Sequence, residues 1–259
     1  MLSSKLELKN FNYVFIDELD YGLIKRTIKD NLVSLCWGEE NNDVFTISDV
    51  IKEFMVRFSR KNINQKYGYI GELIYYIYVL NNSNVMRPIS LFFNQEDKSF
   101  KKGFDFLGFD GDNVWYSEVK SGNSEGKDIN LYNIERLNKA YSDICKKLIS
   151  KDRNDTYWET AKSNLCKIVT SKNDRTVIAD IINSDKKNSN IENKVIVSVI
   201  FEDSDVQLNK DNIEKIYNRI SSKDPCITII SIRKKTIDRV IKILEEVQYE
   251  SSWLFVSKI

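Results

Sequence analysis

Residues 103–120 read GFDFLGFDGDNVWYSEVK, and this stretch decides how the rest of the chain is interpreted. Both of its ends are rich in aromatic and β-branched residues, which favour strands. Between them lies the turn-forming segment Asp110–Asn113. The stretch therefore predicts a β-hairpin.

Three ionisable side chains of this hairpin are expected to lie together. Strand side chains alternate between two faces, so Tyr116, Glu118 and Lys120 share one face. If the two strands pair in register, Asp105 joins them from the first strand, whereas a one-residue slip would turn it to the other side. Two carboxylates and an ammonium on one face would form a chemically useful site.

The composition narrows the chemistry. The chain has 259 residues, 42% hydrophobic and 30% charged, which is typical of a globular protein with one large domain or two small ones. It contains no histidine. Ser-His-Asp and Cys-His nucleophiles and histidine-ligated zinc are therefore excluded. Carboxylates, lysines, hydroxyls or a hard metal ion must do any chemistry, and the net charge of +1 neither supports nor excludes nucleic-acid binding.

The cellular location of the protein is predicted from two features that the sequence lacks, a signal peptide and a membrane span. The segment Met1–Asn10 has no apolar stretch typical of a signal peptide, and the apolar run 67–86 contains Glu72 and an Asn-rich cluster that argue against a membrane span. We expect a cytoplasmic protein in a reducing compartment, with buried free thiols. The four cysteines are scattered without a C-x-x-C pair: Cys36, Cys145, Cys166 and Cys226.

Strands and helices alternate along the chain, which predicts an α/β sheet. The strands expected outside the hairpin are Leu6–Leu8, Tyr13–Ile16, Met86–Asn94, Val195–Phe201, Cys226–Ile232 and Trp253–Val256. The helices expected are Asp49–Phe58 with Ser48 as N-cap, Tyr67–Leu80, Asn130–Ser150, Asp211–Ser221 and Thr236–Val247. Residues 155–193 are expected to be helical and then loop-like.

Glu72 is the one formal charge in the predicted helix Tyr67–Leu80. A helix that is apolar almost all round is usually buried, and burying an unpaired carboxylate is costly. Glu72 either reaches solvent or a nearby lysine, or it faces a metal ion or a catalytic lysine.

The helix Asn130–Ser150 is amphipathic and ends in a basic cluster. Its apolar stripe is Leu131, Ile134, Leu137, Tyr141, Ile144 and Leu148. The basic cluster is Lys146, Lys147, Lys151 and Arg153. These side chains could contact phosphates, but a solvated face is the favoured interpretation.

The paired acids suit a metal-dependent phosphodiesterase. Asp105 and Glu118 could bind Mg²⁺ or Mn²⁺ through oxygen ligands, with water completing the coordination. Such an ion lowers the pKa of a bound water and neutralises phosphate charge. Lys120 could orient or deprotonate the attacking water, or stabilise the developing negative charge.

This order of elements resembles the PD-(D/E)XK nuclease superfamily over about residues 65–202. The resemblance implies a restriction-endonuclease-like mixed central sheet flanked by helices, an N-terminal extension (1–60), a nuclease-like domain (61–259) and C-terminal strand–helix additions (203–259). It also implies that Asp105 and Glu118 are metal ligands, that Lys120 is the catalytic lysine and that Glu72 is the helix-borne acid, also placed at the metal. No proline precedes Asp105.

Three short motifs resemble the HamA family, the nuclease subunits of Hachiman antiphage defence systems. They are Gly71-Glu72, the approach Lys102–Asp105, and Ser117–Lys120. The resemblance implies DNA cleavage on infection and a hetero-complex with a superfamily-2 helicase subunit of the HamB type. A subunit that works with a helicase would not need a strongly basic surface of its own.

Two alternatives stay open. A stand-alone restriction endonuclease would need a base-reading element, and the sequence offers no clear candidate for one. A non-enzymatic α/β interaction subunit would carry the acidic cluster as a solvated face.

Overall fold

A computed structural model of the chain describes residues 13–16, 20–82, 86–93, 103–149, 156–183 and 192–256. The described residues contain a six-stranded sheet. Its strands are β1 (Tyr13–Ile16), β2 (Arg87–Pro88), β3 (Phe106–Phe109), β4 (Val114–Asn123), β5 (Asn193–Phe201) and β6 (Ile227–Lys234).

The sheet is mixed, with strand order β1-β6-β5-β4-β3-β2. From β1 to β4 the neighbours are parallel, and β3 and β2 add to β4 in antiparallel fashion. The chain is thus an α/β protein with a restriction-endonuclease-like sheet, as the sequence predicted. The predicted strand Leu6–Leu8 lies outside the described residues.

Helices cover both faces of the sheet. In the described ranges they are α1 (Tyr21–Trp37), α2 (Ile47–Ser59), α3 (Ile63–Asn81), α4 (Ile129–Ile149), α5 (Thr156–Ile168), α6 (Lys172–Asn183), α7 (Lys210–Ser221) and α8 (Ile237–Val256). Two apolar cores result, one on each face of the sheet. The first core joins α1, α2, α3 and α8, and the second joins α4, α5, α6 and α7. The alternating face of β4 explains the division, because Val119 belongs to the first core and Tyr116 to the second.

The hairpin between β3 and β4 forms as predicted, because its turn has suitable residues. Asp110 Oδ1 accepts hydrogen bonds from the backbone N–H groups of Asp112 and Asn113 at 3.0 and 2.8 Å. Gly111 adopts a φ of +107°, a conformation that glycine adopts most easily. Trp115 Nε1 donates to Asp110 Oδ2 at 2.9 Å, which ties the turn to β4.

The predicted strand Met86–Asn94 is wrong over most of its length. Only Arg87–Pro88 pairs with β3, and Ile89 adds one backbone hydrogen bond to that strand. Beyond this point the chain leaves the sheet, and the Phe92 N–H donates to the carbonyl of Leu35 in α1 at 2.8 Å. Met86, Phe92 and Phe93 pack in the first core, and Ile89 packs in the second.

Several helix boundaries differ from expectation. Helix α3 begins at Ile63 rather than at Tyr67, because Asn62 forms a capping box with Gln65. The N-cap of α2 is Thr46 and not Ser48, because Thr46 forms a reciprocal capping box with Asp49. The predicted last strand Trp253–Val256 is the final part of α8. That helix is anchored on α1, where Lys25 contacts Glu246 and Glu250 at 2.9 and 2.8 Å, so its backbone continues in helical form.

The described part of the predicted N-terminal extension is continuous with the rest of the sheet and core. β1 pairs in parallel with β6, and the side chains of α1 and α2 share the first core with α3 and α8. Among the described helices, none is long and apolar enough to cross a membrane.

Burial corrects two predictions. Leu131, placed in the apolar stripe of α4, is 68% exposed. The buried face of that helix is Ile129, Tyr132, Asn133, Leu137, Ala140, Ile144 and Leu148. Of the four free cysteines, Cys36 is buried, Cys145 and Cys226 are half-buried and Cys166 is exposed.

Candidate active site

The hairpin register brings the two predicted acids together. Phe106 pairs with Ser117, so Asp105, one residue earlier, comes opposite Glu118. Opposite residues of paired strands point to the same face. The Oδ2 atom of Asp105 also accepts a hydrogen bond from the Val119 N–H at 2.9 Å. This carboxylate therefore supplies a hydrogen-bond partner for β4 just before β3 begins.

Each carboxylate oxygen of Glu118 is bound by a different lysine. Lys120 Nζ donates to Oε1 at 2.7 Å, and Lys147 Nζ donates to Oε2 at 2.5 Å. The Glu118 side chain is 2% exposed, while Lys120 and Lys147 keep 21% and 16% of their side-chain surface exposed. The buried carboxylate is thus neutralised by lysines that lie between it and solvent.

Lys147 is the site residue that sequence reasoning missed. Its Nζ also lies 3.0 Å from the Gly103 carbonyl oxygen and 3.6 Å from Asp105 Oδ1. The prediction of a solvated basic end holds for Lys146, which is 76% exposed, and is wrong for Lys147. The other two members of that cluster lie outside the described residues.

A third carboxylate holds Lys120 from the opposite side. Asp143 Oδ2, on α4, lies 2.9 Å from Lys120 Nζ. Lys120 therefore bridges β4 and α4, and its ammonium group is fixed between Glu118 and Asp143. Helix α4 thus contributes two charged groups to the cluster around Glu118. They are Asp143 and Lys147.

The electrostatics of the cluster keep both lysines charged. Burial raises the pKa of Glu118, and neighbouring Asp105 raises it further, against the opposing effect of Lys147 and Lys120. Burial by itself would lower the pKa of Lys120, but Glu118, together with the other carboxylates, raises it above its usual range. The pKa of Lys147 is raised in the same way, by Asp105 and Glu118 against burial. Both are ammonium groups at neutral pH, which favours charge stabilisation over deprotonation as the role of Lys120.

Glu72 is half-buried on α3. Its neighbour Gly71 packs closely on β4, where a Cβ would come 2.2 Å from Ser121 Oγ. Tyr76 lies one turn further along the same side of α3, and its hydroxyl is 3.5 Å from the Asp105 carbonyl oxygen. Glu72 is thus about 6 Å along the α3 axis from Tyr76, the residue that reaches Asp105.

The oxygens around Asp105 and Glu118 fit a hard divalent cation in type. Glu118 Oε2, Asp105 Oδ1 and the Gly103 carbonyl oxygen all surround the single cationic atom Lys147 Nζ. Carboxylate and carbonyl oxygens are the ligands that Mg²⁺ and Mn²⁺ prefer. Within the described ranges, no three side chains of the metal-ligating types form one group that could hold a metal ion. The assignment of Glu72 as a third ligand stays a prediction.

The fold and this cluster define an α/β protein with a restriction-endonuclease-like sheet and a site of paired carboxylates and two lysines. The chain belongs to the HamA family, because the family model described as HamA matches residues 2–246, nearly the whole chain. Membership in this family indicates a role in antiphage defence as a subunit of a Hachiman system. Searches of curated proteins and of solved structures gave no match.

Proposed function

We propose that this chain is a metal-dependent DNA endonuclease of the PD-(D/E)XK type and the effector of a helicase-coupled antiphage defence complex. The observation that carries the proposal is the pairing of Asp105 with Glu118 across the hairpin, with Lys120 bound to Glu118 at 2.7 Å. Two acids and a lysine on adjacent strands form a compact site for phosphodiester hydrolysis.

Asp105 and Glu118 are the proposed ligands of Mg²⁺ or Mn²⁺, and Glu72 is the proposed third acid. When bound, the ion supplies a nucleophile by lowering the pKa of a coordinated water and neutralises phosphate charge. The near-complete burial of Glu118 supports this role, because a carboxylate in a low-dielectric setting attracts a cation more strongly than an exposed one.

Lys120 is the proposed stabiliser of the charge that develops on the phosphoryl oxygens. Its ammonium is held by Glu118 and Asp143 at 2.7 and 2.9 Å, so it is positioned before substrate arrives. With 21% of its side chain exposed, it can also contact a bound phosphate.

A helicase subunit is the proposed partner. The family match supports a multi-subunit defence role, and a net charge of +1 gives the chain little long-range attraction for a polyanion. A helicase that tracks along DNA would deliver the substrate to the site. The proposal is therefore a hetero-complex in which the nuclease subunit contributes the cleavage chemistry.

Plasmid cleavage tests the proposal. The purified chain, alone and with a superfamily-2 helicase subunit of the HamB type, is incubated with supercoiled plasmid and Mg²⁺ or Mn²⁺. We expect cleavage that is abolished by EDTA and by Asp105→Asn, Glu118→Gln and Lys120→Met. Asp112→Asn is the matched control, because Asp112 is an exposed acid in the turn of the same hairpin.

The pattern of products separates the competing functions. A smear of fragments agrees with the proposal, whereas discrete bands would indicate a sequence-specific restriction enzyme. Full cleavage by Lys120→Met would refute the role given to that lysine. Absence of both cleavage and metal binding, with an unchanged Asp105→Asn variant, would indicate an interaction subunit instead.

A further inference from the structure

Lys147 occupies the space between the two acids of the candidate site. Its Nζ lies 2.5 Å from Glu118 Oε2, 3.6 Å from Asp105 Oδ1 and 3.0 Å from the carbonyl oxygen of Gly103. Three oxygens, one from β4 and two from the segment before β3, thus converge on one cationic atom. Two of them belong to the side chains proposed above as metal ligands.

The fold itself holds Lys147 in this position. Lys147 lies in the last turn of α4, and only 16% of its side chain is exposed. The ring of Tyr157, on α5, has its centroid 5.7 Å from the same Nζ. Its neighbour Lys146 is 76% exposed, with its nearest charged partner, Asp143, at 4.0 Å. Of two adjacent lysines, one is solvated and one is held inside the site.

We propose that Lys147 is an internal counter-ion that holds Asp105 and Glu118 together in the metal-free protein, and that a divalent cation binds there only by displacing it. This inference rests on the proposed metal-dependent function. It makes Lys147 a positioning residue that sets the metal affinity of the site.

The physical reason is competition for the same oxygens. An ammonium and a divalent ion cannot both contact Glu118 Oε2 and Asp105 Oδ1, because like charges within about 4 Å repel strongly at a partly buried site. Without a cation between them, two adjacent carboxylates would disfavour each other's ionisation. Lys147 removes this electrostatic cost in the metal-free protein. The incoming metal ion must replace the contacts that Lys147 makes.

Displacement also gives the lysine a second position. Once it leaves the carboxylates, its ammonium is available to a phosphate group at the mouth of the site. Metal and nucleic acid would then favour each other's binding, because the phosphate provides a partner for the displaced charge.

Calorimetric titration with Mn²⁺ tests the proposal on wild type, Lys147→Met and Lys147→Arg. Because Lys147→Met removes the competing charge and preserves most of the side-chain volume, we expect its Kd for Mn²⁺ to be lower by about tenfold or more. Lys147→Arg keeps the charge and should bind no more tightly than wild type. Lys146→Met is the matched control and should leave the Kd unchanged.

A second measurement uses the wild-type protein and does not depend on the folding of any variant. Lysines are acetylated at limiting reagent, with and without Mn²⁺, and their modification is quantified by mass spectrometry. We expect Lys147 to be protected in the metal-free protein and to become several-fold more reactive with Mn²⁺. Lys146 should be reactive in both states.

The outcomes separate this inference from the proposed function. If wild type and Lys147→Met bind Mn²⁺ with equal affinity, or if Lys147 stays protected at saturating Mn²⁺, the counter-ion role is refuted while metal-dependent cleavage can still stand. If neither protein binds Mn²⁺ and no divalent ion supports cleavage, the proposed function fails and the inference fails with it.

Discussion

Two sites in the described part of the chain bury a carboxylate against a lysine, and they differ in how far the lysines are exposed to solvent. Lys194 and Asp224 form an ion pair of 3.0 Å in which both side chains are 0% exposed. Glu118 is almost as buried, but it binds two lysines that are 16% and 21% exposed and lies opposite a second acid, Asp105.

The difference shows which buried charges are available for chemistry. Lys194 and Asp224, called here the sealed pair, neutralise each other, and neither side chain has exposed surface that a ligand could contact. The site around Glu118 contains more charges than a simple pair, and both of its lysines keep some exposed surface. Burial of an ion pair does not by itself distinguish a structural pair from a candidate site, whereas the partial exposure of the lysines does.

The largest expected effect comes from Glu118→Gln, which removes the charge and keeps the shape of the site. We expect DNA cleavage to fall roughly a thousandfold, equivalent to about 4 kcal/mol of transition-state stabilisation. The rate of plasmid nicking measures it, and circular dichroism checks the fold. Cleavage within a few-fold of wild type would contradict the distinction between the Glu118 site and the buried Lys194–Asp224 pair.

The sealed pair should respond in stability and not in cleavage. Lys194→Met leaves the Asp224 carboxylate buried without its partner, so the free energy of unfolding should fall by about 3–5 kcal/mol. Urea denaturation measures the loss. The double variant Lys194→Met/Asp224→Leu should recover most of it, because a buried pair can be replaced by apolar side chains. A loss below about 1 kcal/mol would show that the pair is not sealed.

Gly71→Ala tests whether the site around Glu118 depends on the packing of α3 against β4. The added Cβ would come 2.2 Å from Ser121 Oγ and 2.5 Å from its Cβ, which pushes α3 away from β4. We expect a loss of about 2 kcal/mol in the free energy of unfolding, together with slower cleavage. Both are measured on the same preparation.

Gly68→Ala is the matched control in the same helix, because nothing lies within 4 Å of its added Cβ. It should stabilise the protein by about 0.5–1 kcal/mol, since alanine is the better helix former. Equal behaviour of the two variants would contradict the close packing of Gly71.

Asp143→Asn should affect cleavage less than Glu118→Gln, because it removes only one of the two carboxylates that hold Lys120. The contact is 2.9 Å, but Asp143 is 29% exposed and solvent can replace part of it. We expect cleavage to slow by about tenfold, or about 1.4 kcal/mol, with little change in stability. A steady-state rate at saturating metal measures it, and no change at all would mean that Glu118 alone positions Lys120.

Much of the site could be predicted from the sequence because its signals are local. The turn residues of 110–113 and the two-residue strand period place Asp105, Glu118 and Lys120 on one face without knowledge of the rest of the chain. The apolar periodicity of α3 similarly identifies Glu72 as an unusual charge. Short-range geometry is enough for both.

The segment 86–94 shows where local signals fail. Its apolar residues match a buried strand, yet Phe92 and Phe93 fill the first core from an irregular segment. Hydrophobicity predicts that a segment is buried and does not predict which backbone partner it finds. Here Phe92 bonds to α1, because the chain leaves β3 after Ile89.

The sequence by itself determined the hairpin, the pair of acids and the lysine beside them. Only the tertiary structure decided that Lys147 belongs with them. Lys147 lies next to Leu148 and three residues after Ile144, at the edge of the buried face of α4. A lysine in that position can extend its stem towards water or towards a buried acid. Lys147 turns inward because α4 crosses the face of the sheet that carries Glu118. That crossing is a long-range contact.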